Sequence, residues 1–243
     1  MKIKTSNMQL LSKVVKPNFQ LSTLNSQLIL IVVFFLLSCA PSFTNSHKLY
    51  SGLPAKSESV GYVELGDGFM LTRADWFTEK LNIPNDSIYS KLEKLTDSVI
   101  SNELQKNWNI STVSKNDTFL RETLKMDNTI FIKTKFPEQG VEIAANNGSV
   151  PNYLFIIHEY TIGGDLEAEN FYDYRKANLE TVQKKKFKKL SIIATFTLWD
   201  NKKQLPLKSG IISVQKPIKN DSIDRDFFIN STKAVVEECL KML

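Results

Sequence analysis

Residues 153 to 162 read YLFIIHEYTI and form the most apolar stretch of the chain after residue 39. Pro151 precedes this stretch, and Gly163 and Gly164 follow it. A short apolar run between turn residues, rich in β-branched and aromatic side chains, is typical of a buried strand. The sequence therefore predicts that residues 153 to 162 form the central strand of a sheet.

Two further strands and a helix are predicted downstream. Residues 190 to 199 alternate between apolar and polar, and a second alternating segment, 206 to 215, follows the polar turn sequence DNKK at 200 to 203. Period-two alternation on both sides of a turn predicts an antiparallel hairpin. The chain then ends in an amphipathic pattern that predicts a helix from about 221 to 242.

The region upstream contributes strands at 59 to 65 and 129 to 136, and a helix at about 86 to 106 that opens on good capping residues. Residues 109 to 128 are ambiguous and contain a hint of a short helix. These elements predict an α+β fold for one domain, residues 58 to 243. Its sheet is expected to be mostly antiparallel with four to five strands, with a long helix after the first strand and the C-terminal helix packed on it.

The N-terminus carries the pattern of an export signal. Residues 28 to 37, LILIVVFFLL, are an unbroken apolar run that follows a stretch with four lysines and no acid. About 20 apolar residues are needed for a helix to cross a bilayer, so ten indicate a signal peptide.

The next residues, Leu36-Leu37-Ser38-Cys39, resemble the lipobox of bacterial lipoproteins. The resemblance implies that residues 1 to 38 are removed and that Cys39 carries the lipid, with residues 39 to 57 as the lipidated cysteine and a tether. Two or three acyl chains on one residue hold a protein stably on a membrane. Ala40 stands where an acid would favour the inner membrane, which implies an outer-membrane protein that faces the periplasm.

The charge of the chain belongs largely to the signal segment. Residues 1 to 38 hold four of the 31 lysines and arginines and none of the 26 acidic residues. The remainder is nearly neutral and gives no electrostatic footprint for nucleic acid. We therefore expect no nucleic-acid partner.

Few residues suggest chemistry. The two histidines, His47 and His158, are far apart in the sequence, and the one cysteine besides Cys39 is Cys239 in the apolar side of the last helix. Such a set predicts no metal site, and no nucleotide or nucleophile motif is present. We expect a protein without a catalytic centre or cofactor.

Two groups of residues are candidates for contact with a partner or membrane. An aromatic cluster around Gly66 and Gly68 comprises Phe69, Trp76 and Phe77 and is expected to be exposed. The second group lies between residues 165 and 189, where acids come first, then aromatics, then lysines. Its members are Phe171, Tyr172, Tyr174, Lys184, Lys185, Lys186, Lys188 and Lys189. The lysines would favour anionic headgroups or an acidic partner; alternatively, they form a solvated excursion that protects a strand edge.

The order of elements resembles that of a group of small envelope domains. These are the penicillin-binding-protein activator lipoproteins, the amino-terminal domain of the Tol-system propeller protein and the curli-secretion lipoprotein. The resemblance rests on the strand at 153 to 160, the hairpin from 198 to 210 and the closing helix at 234 to 243. It implies a non-enzymatic accessory or assembly factor that binds an envelope protein. The alternative is a lipoprotein that binds a small ligand or glycan through the aromatic residues.

Overall fold

The apolar stretch that opened the sequence forms a long strand at the centre of the sheet. The computed structural model describes residues 43–116, 118–126, 130–167, 186–219 and 222–243. The strands are β1 Phe43–Ser46, β2 Ser59–Val63, β3 Phe69–Leu71, β4 Asn109–Val113, β5 Phe119–Met126, β6 Ile130–Pro137, β7 Tyr153–Glu167, β8 Lys186–Asp200 and β9 Leu205–Pro217. The α-helices are α1 Ala74–Leu81, α2 Ile88–Leu104 and α3 Arg225–Met242, and Gly66–Gly68 forms a 3₁₀ turn.

Within the described residues the main sheet has seven strands. Six of them run in the order β1-β9-β8-β7-β2-β4, and β3 pairs with β7 beside β2. The central strand β7 is antiparallel to β8 but parallel to β2 and β3, and β2 is also parallel to β4. The prediction of a mostly antiparallel sheet with four to five strands was therefore wrong.

The error arose from the segment that connects β2 with β4. This connection runs through β3, α1 and α2, and a crossover that includes helices returns the chain parallel to the strand it left. Residues 109 to 128 were ambiguous in the sequence, with a possible short helix, whereas they contain β4 and the start of the β5–β6 pair. Without β4 the crossover could not be recognised. The long helix also does not follow the first strand directly, because β3 and α1 precede α2.

Other predicted elements are confirmed. The β8–β9 hairpin is antiparallel over most of both strands, with the turn at 201 to 204. The helices predicted at about 86 to 106 and 221 to 242 are α2 and α3. Helix α3 begins at Asp224, whose carboxylate accepts a hydrogen bond of 2.7 Å from the Phe227 amide, as expected for an N-cap.

The N-terminal strand corrects part of the tether prediction. Phe43–Ser46 lies inside the predicted tether but pairs antiparallel with β9, from Ile211 to Lys208. The His47 amide continues this contact by donating to the Leu207 carbonyl at 2.8 Å. The outer edge of β9 would otherwise leave main-chain groups unpaired, so even a short polar segment gains hydrogen bonds there.

Both faces of the sheet are covered by apolar contacts. Helices α1, α2 and α3 pack on one face, where Tyr62, Phe155, Phe196 and Phe228 are fully buried. The second cluster lies on the opposite face and joins the β5–β6 pair and the loop after it to the sheet. Its buried members are Val63, Val113, Phe119, Phe136, Ile143, Ala145, Leu154, Ile156 and Trp199. No helix among the described residues is long and apolar enough to cross a membrane.

Candidate functional site

The aromatic cluster predicted to be exposed lies in the core. Phe69 and Trp76 are each 7% exposed and Phe77 is 1% exposed. Phe69 stacks on Tyr160 of β7 with ring centroids 6.3 Å apart, and Trp76 meets Phe77 edge to face at 5.0 Å. Because β3 and α1 pack against the central strand and α2, these rings are consumed by folding. The expectation that they are exposed for a partner is therefore wrong.

The acid-then-lysine segment is partly described. It joins β7 to β8, and the antiparallel register places Asp165 opposite Lys189 and Glu167 opposite Lys186. Lys188 and Lys189 are exposed. The order of charges along the chain thus matches the pairing of the two strands. Outside the described residues lie Cys39, Phe171, Tyr172, Tyr174, Lys184 and Lys185.

His158 is held inside the second apolar cluster as a neutral group. Its Nε2 shares a hydrogen bond of 2.8 Å with the Thr197 hydroxyl, which in turn bonds to the Ser209 hydroxyl at 2.8 Å. Burial lowers the pKa of His158 to about 3, and the nearby charge of Lys115 acts in the same direction. The main chain of Lys135 opposes part of this fall. An imidazole with such a pKa is not charged at neutral pH.

Cys239 is also a structural group. Its side chain is fully buried in helix α3, and burial raises the pKa of its thiol. A reactive thiol needs an accessible and electropositive site that favours the thiolate. Cys239 therefore contributes packing. No three His, Cys, Asp or Glu side chains meet as metal ligands in the part of the chain that the structure describes.

A small polar cleft lies where β3, β6 and β7 approach one another. We call this the polar cleft, and its volume is about 210 Å³. It is lined by Asp67, Gly68, Met70, Lys115, Thr134, Lys135, His158 and Glu159. Gly68 is required at its wall, because a Cβ atom there would stand 2.3 Å from the His158 carbonyl oxygen.

Lys115 supplies the buried charge of the polar cleft. Its ammonium donates to the Leu65 carbonyl at 2.7 Å and more weakly to the Ile157 carbonyl at 3.4 Å. Burial lowers the pKa of Lys115, while the charge of Asp67 opposes the shift. Asp67 itself pairs with Lys135 at 2.6 Å. Lys115 forms no ion pair with any described residue, so its charge faces the polar cleft without a counterion.

A second, larger depression lies among the three helices. We call it the helix groove, and its volume is about 500 Å³. The end of α1, one side of α2 and the start of α3 form its walls. Its apolar floor consists of Leu81, Ile83, Leu92, Leu95, Ile223 and Phe228.

Charged groups stand at the margin of the helix groove. Lys91 and Arg225 are exposed, and Lys80 pairs with its neighbour Glu79 at 3.2 Å. Asp224 also lines the groove, but its carboxylate is engaged as the α3 cap. The helix groove thus combines an apolar floor with a positively charged margin.

Comparisons with known proteins give limited similarity. No protein-family model matches the chain, and no curated protein matches its sequence. A solved neuraminyllactose-binding hemagglutinin homolog from Helicobacter pylori, described as putative, is 13% identical, with a TM-score of 0.37 and coverage of 81% of this chain and 89% of that one. The PelC dodecamer from Paraburkholderia phytofirmans is 8% identical, with a TM-score of 0.34 and coverage of 84% and 98%. A variant of that PelC gives 10%, 0.35, 83% and 96%.

These values do not transfer a function. Identities of 8 to 13% show no family, and TM-scores of 0.34 to 0.37 leave large parts of the superposed chains apart. A shared architecture would in any case leave the site to be argued from its own residues. The polar cleft and the helix groove therefore carry the functional argument.

Sequence reasoning found neither site. Leu92 and Leu95 were assigned to the apolar face of a helix, but α1 was not predicted, so the opposite wall of the groove was absent. Thr134 and Lys115 are ordinary residues in sequence, 19 positions apart. A signal was available for the groove alone: Lys80, Lys91 and Arg225 each lie within three residues of a floor residue.

Proposed function

We propose that this chain is a lipid-anchored binding protein of the bacterial outer membrane. It acts as a non-enzymatic accessory factor and holds an envelope protein through the helix groove. Cys39 provides the attachment, and the domain faces the periplasm.

The helix groove is the observation that supports this function. Leu81, Ile83 and Leu95 are only partly buried, so apolar area remains in contact with water. Covering such area stabilises a complex by about 25 cal/mol for each Å². A volume of about 500 Å³ accommodates a few side chains of a partner segment. The groove is concave and apolar with few polar groups, as binding sites commonly are.

The margin of the groove restricts the chemistry of the partner. Lys91 and Arg225 would be placed against a cationic segment at a cost, whereas acidic residues would be attracted. The expected ligand is therefore an apolar segment with acidic flanks from an envelope protein. Such charge complementarity mainly provides selectivity and faster association.

A role in binding glycans was the alternative derived from the aromatic residues. Sugar rings need accessible aromatic faces, but Phe69, Trp76 and Phe77 pack within the core. The described structure therefore favours the helix groove over an aromatic platform made of these three residues.

Site-specific cross-linking tests the proposal. A photoreactive amino acid at position 91 or 225 in the membrane-bound protein should capture one envelope protein. Mass spectrometry should locate the cross-link in an apolar segment with acidic flanks. The double variant Lys91→Glu with Arg225→Glu should reduce capture roughly tenfold, because two attractions of up to about 1 kcal/mol become repulsions.

A matched control changes the same amount of charge elsewhere. Lys48 and Lys202 are exposed and do not line the helix groove. Lys48→Glu with Lys202→Glu should leave capture unchanged. Equal loss in both double variants, or cross-links to many unrelated proteins, would disprove a specific groove partner.

A further inference from the structure

Two buried polar atoms in the polar cleft lack hydrogen-bond partners. The Thr134 hydroxyl and the His158 Nδ1 both lack a partner among the described residues. Each side chain is only 6% exposed, and both line the polar cleft. A buried polar atom without a partner costs stability, and proteins usually satisfy such atoms with protein groups, water or a ligand.

Lys115 adds a positive charge to the same space. Its ammonium uses the Leu65 and Ile157 carbonyls as two acceptors, and a lysine ammonium has three donors. One donor therefore remains. A charged donor, a hydroxyl and an imidazole nitrogen around one small volume are suited to the oxygen atoms of an anion.

We propose that the polar cleft binds a small oxyanion, a carboxylate or phosphate group on a compact organic molecule, through Lys115, Thr134 and His158. This site is separate from the helix groove and does not depend on the proposed protein partner. The hydroxyl of Thr134 and the ammonium of Lys115 donate to the anionic oxygens.

The protonation of His158 is compatible with this role. If the Thr197 hydroxyl donates to Nε2, the neutral imidazole carries its proton on Nδ1 and becomes a third donor. Thr197 can donate in this way while it accepts from the Ser209 hydroxyl.

The acidic residues of the polar cleft do not oppose an anion strongly. Asp67 is paired with Lys135 at 2.6 Å, which compensates its charge. Glu159 is exposed and is therefore screened by water. The volume of about 210 Å³ exceeds a bare anion and suits a compact molecule of a few carbon atoms that carries the group.

Calorimetric titration of the full-length protein, purified from membranes in detergent, tests the site. Glycerol 3-phosphate and glucuronate serve as the probes, and glycerol and glucose serve as their uncharged controls at the same ionic strength. Saturable binding is expected for at least one charged probe and for neither control. The two charged probes distinguish a phosphate ligand from a carboxylate ligand.

Two variants link binding to the polar cleft. Lys115→Met should abolish binding, although this change also removes hydrogen bonds to two carbonyls. Thr134→Val keeps the shape and removes only an unpaired hydroxyl, so it should fold at least as well and bind about tenfold more weakly. Lys202→Met is the control for loss of a distant charge.

The result has clear consequences for the proposal. Absence of saturable heat with both charged probes would overturn it and leave ordered water as the partner of Thr134. Unchanged affinity in Thr134→Val would also overturn it, because binding would then occur elsewhere. Weaker binding in a well-folded Thr134→Val protein, with Lys202→Met unaffected, supports it.

Discussion

At the scale of single residues, His158 makes the stability of the protein depend on pH. Its pKa is about 3 in the folded protein and 6.5 as the ordinary value. Between these values the unfolded chain binds the proton more strongly, so stability falls as the pH decreases from 6.5 towards 3. The contribution of this one residue should approach about 1.4 kcal/mol for each pH unit.

Urea denaturation between pH 7 and pH 4 measures this effect. The difference in unfolding free energy between the wild type and His158→Gln should change with pH in this range, because glutamine does not titrate. Asp97, whose pKa is raised by burial, is present in both proteins and cancels in the comparison. Parallel pH profiles would show that His158 is solvated or charged in the folded protein.

Residue types alone predicted some of these positions. Cys239 was correctly placed in a buried helix side, and His158 was correctly assigned to the core, because each lies in a strong apolar pattern. Phe69 and Trp76 were misplaced, since the glycines beside them suggested an exposed loop. Their burial depends on β3 joining β7, a contact between residues about 90 positions apart that no local pattern encodes.

At the scale of elements, the strands with local partners were the predictable ones. The β8–β9 hairpin follows from alternation and a four-residue turn. The parallel pairs of β2 with β4 and β7 connect distant segments, and each of the two outer strands is short and only partly apolar. Such strands owe their structure to the sheet that they join more than to their own propensity.

Strand β1 provides a prediction at this scale. A mature chain that starts at residue 51 lacks the β1–β9 pairing and the hydrogen bond from His47 to Leu207. It should lose on the order of 2 to 4 kcal/mol of stability relative to a chain that starts at residue 43, at about 1 kcal/mol for each hydrogen bond lost.

Thermal and urea unfolding of the two truncated chains decide between strand and tether. A tether would contribute nothing to stability, so identical unfolding midpoints would show that residues 43 to 46 do not pair in solution. A lower midpoint for the shorter chain, with the same secondary structure content, would establish β1 as part of the domain.

At the scale of the whole molecule, the anchor and the domain are expected to be separable. The two apolar clusters use residues from Val60 to Cys239, and none of their contacts involves residue 39. Attachment by lipid therefore need not alter the fold. It would raise the local concentration of the helix groove for partners on the same membrane.

The two cysteines of the chain allow a matched test of the anchor. Cells grown with labelled palmitate should incorporate the label into the wild type and into Cys239→Ala, because Cys239 is buried and not expected to be modified. Cys39→Ser should lose both the label and the cleavage of the signal segment, since the lipidated thiol is what the processing step requires in proteins with a lipobox. A Cys39→Ser protein that is still cleaved and still bound to the membrane would rule out lipid attachment at this residue. Label retained in Cys39→Ser but lost in Cys239→Ala would place the lipid on helix α3, which its complete burial makes incompatible with the fold.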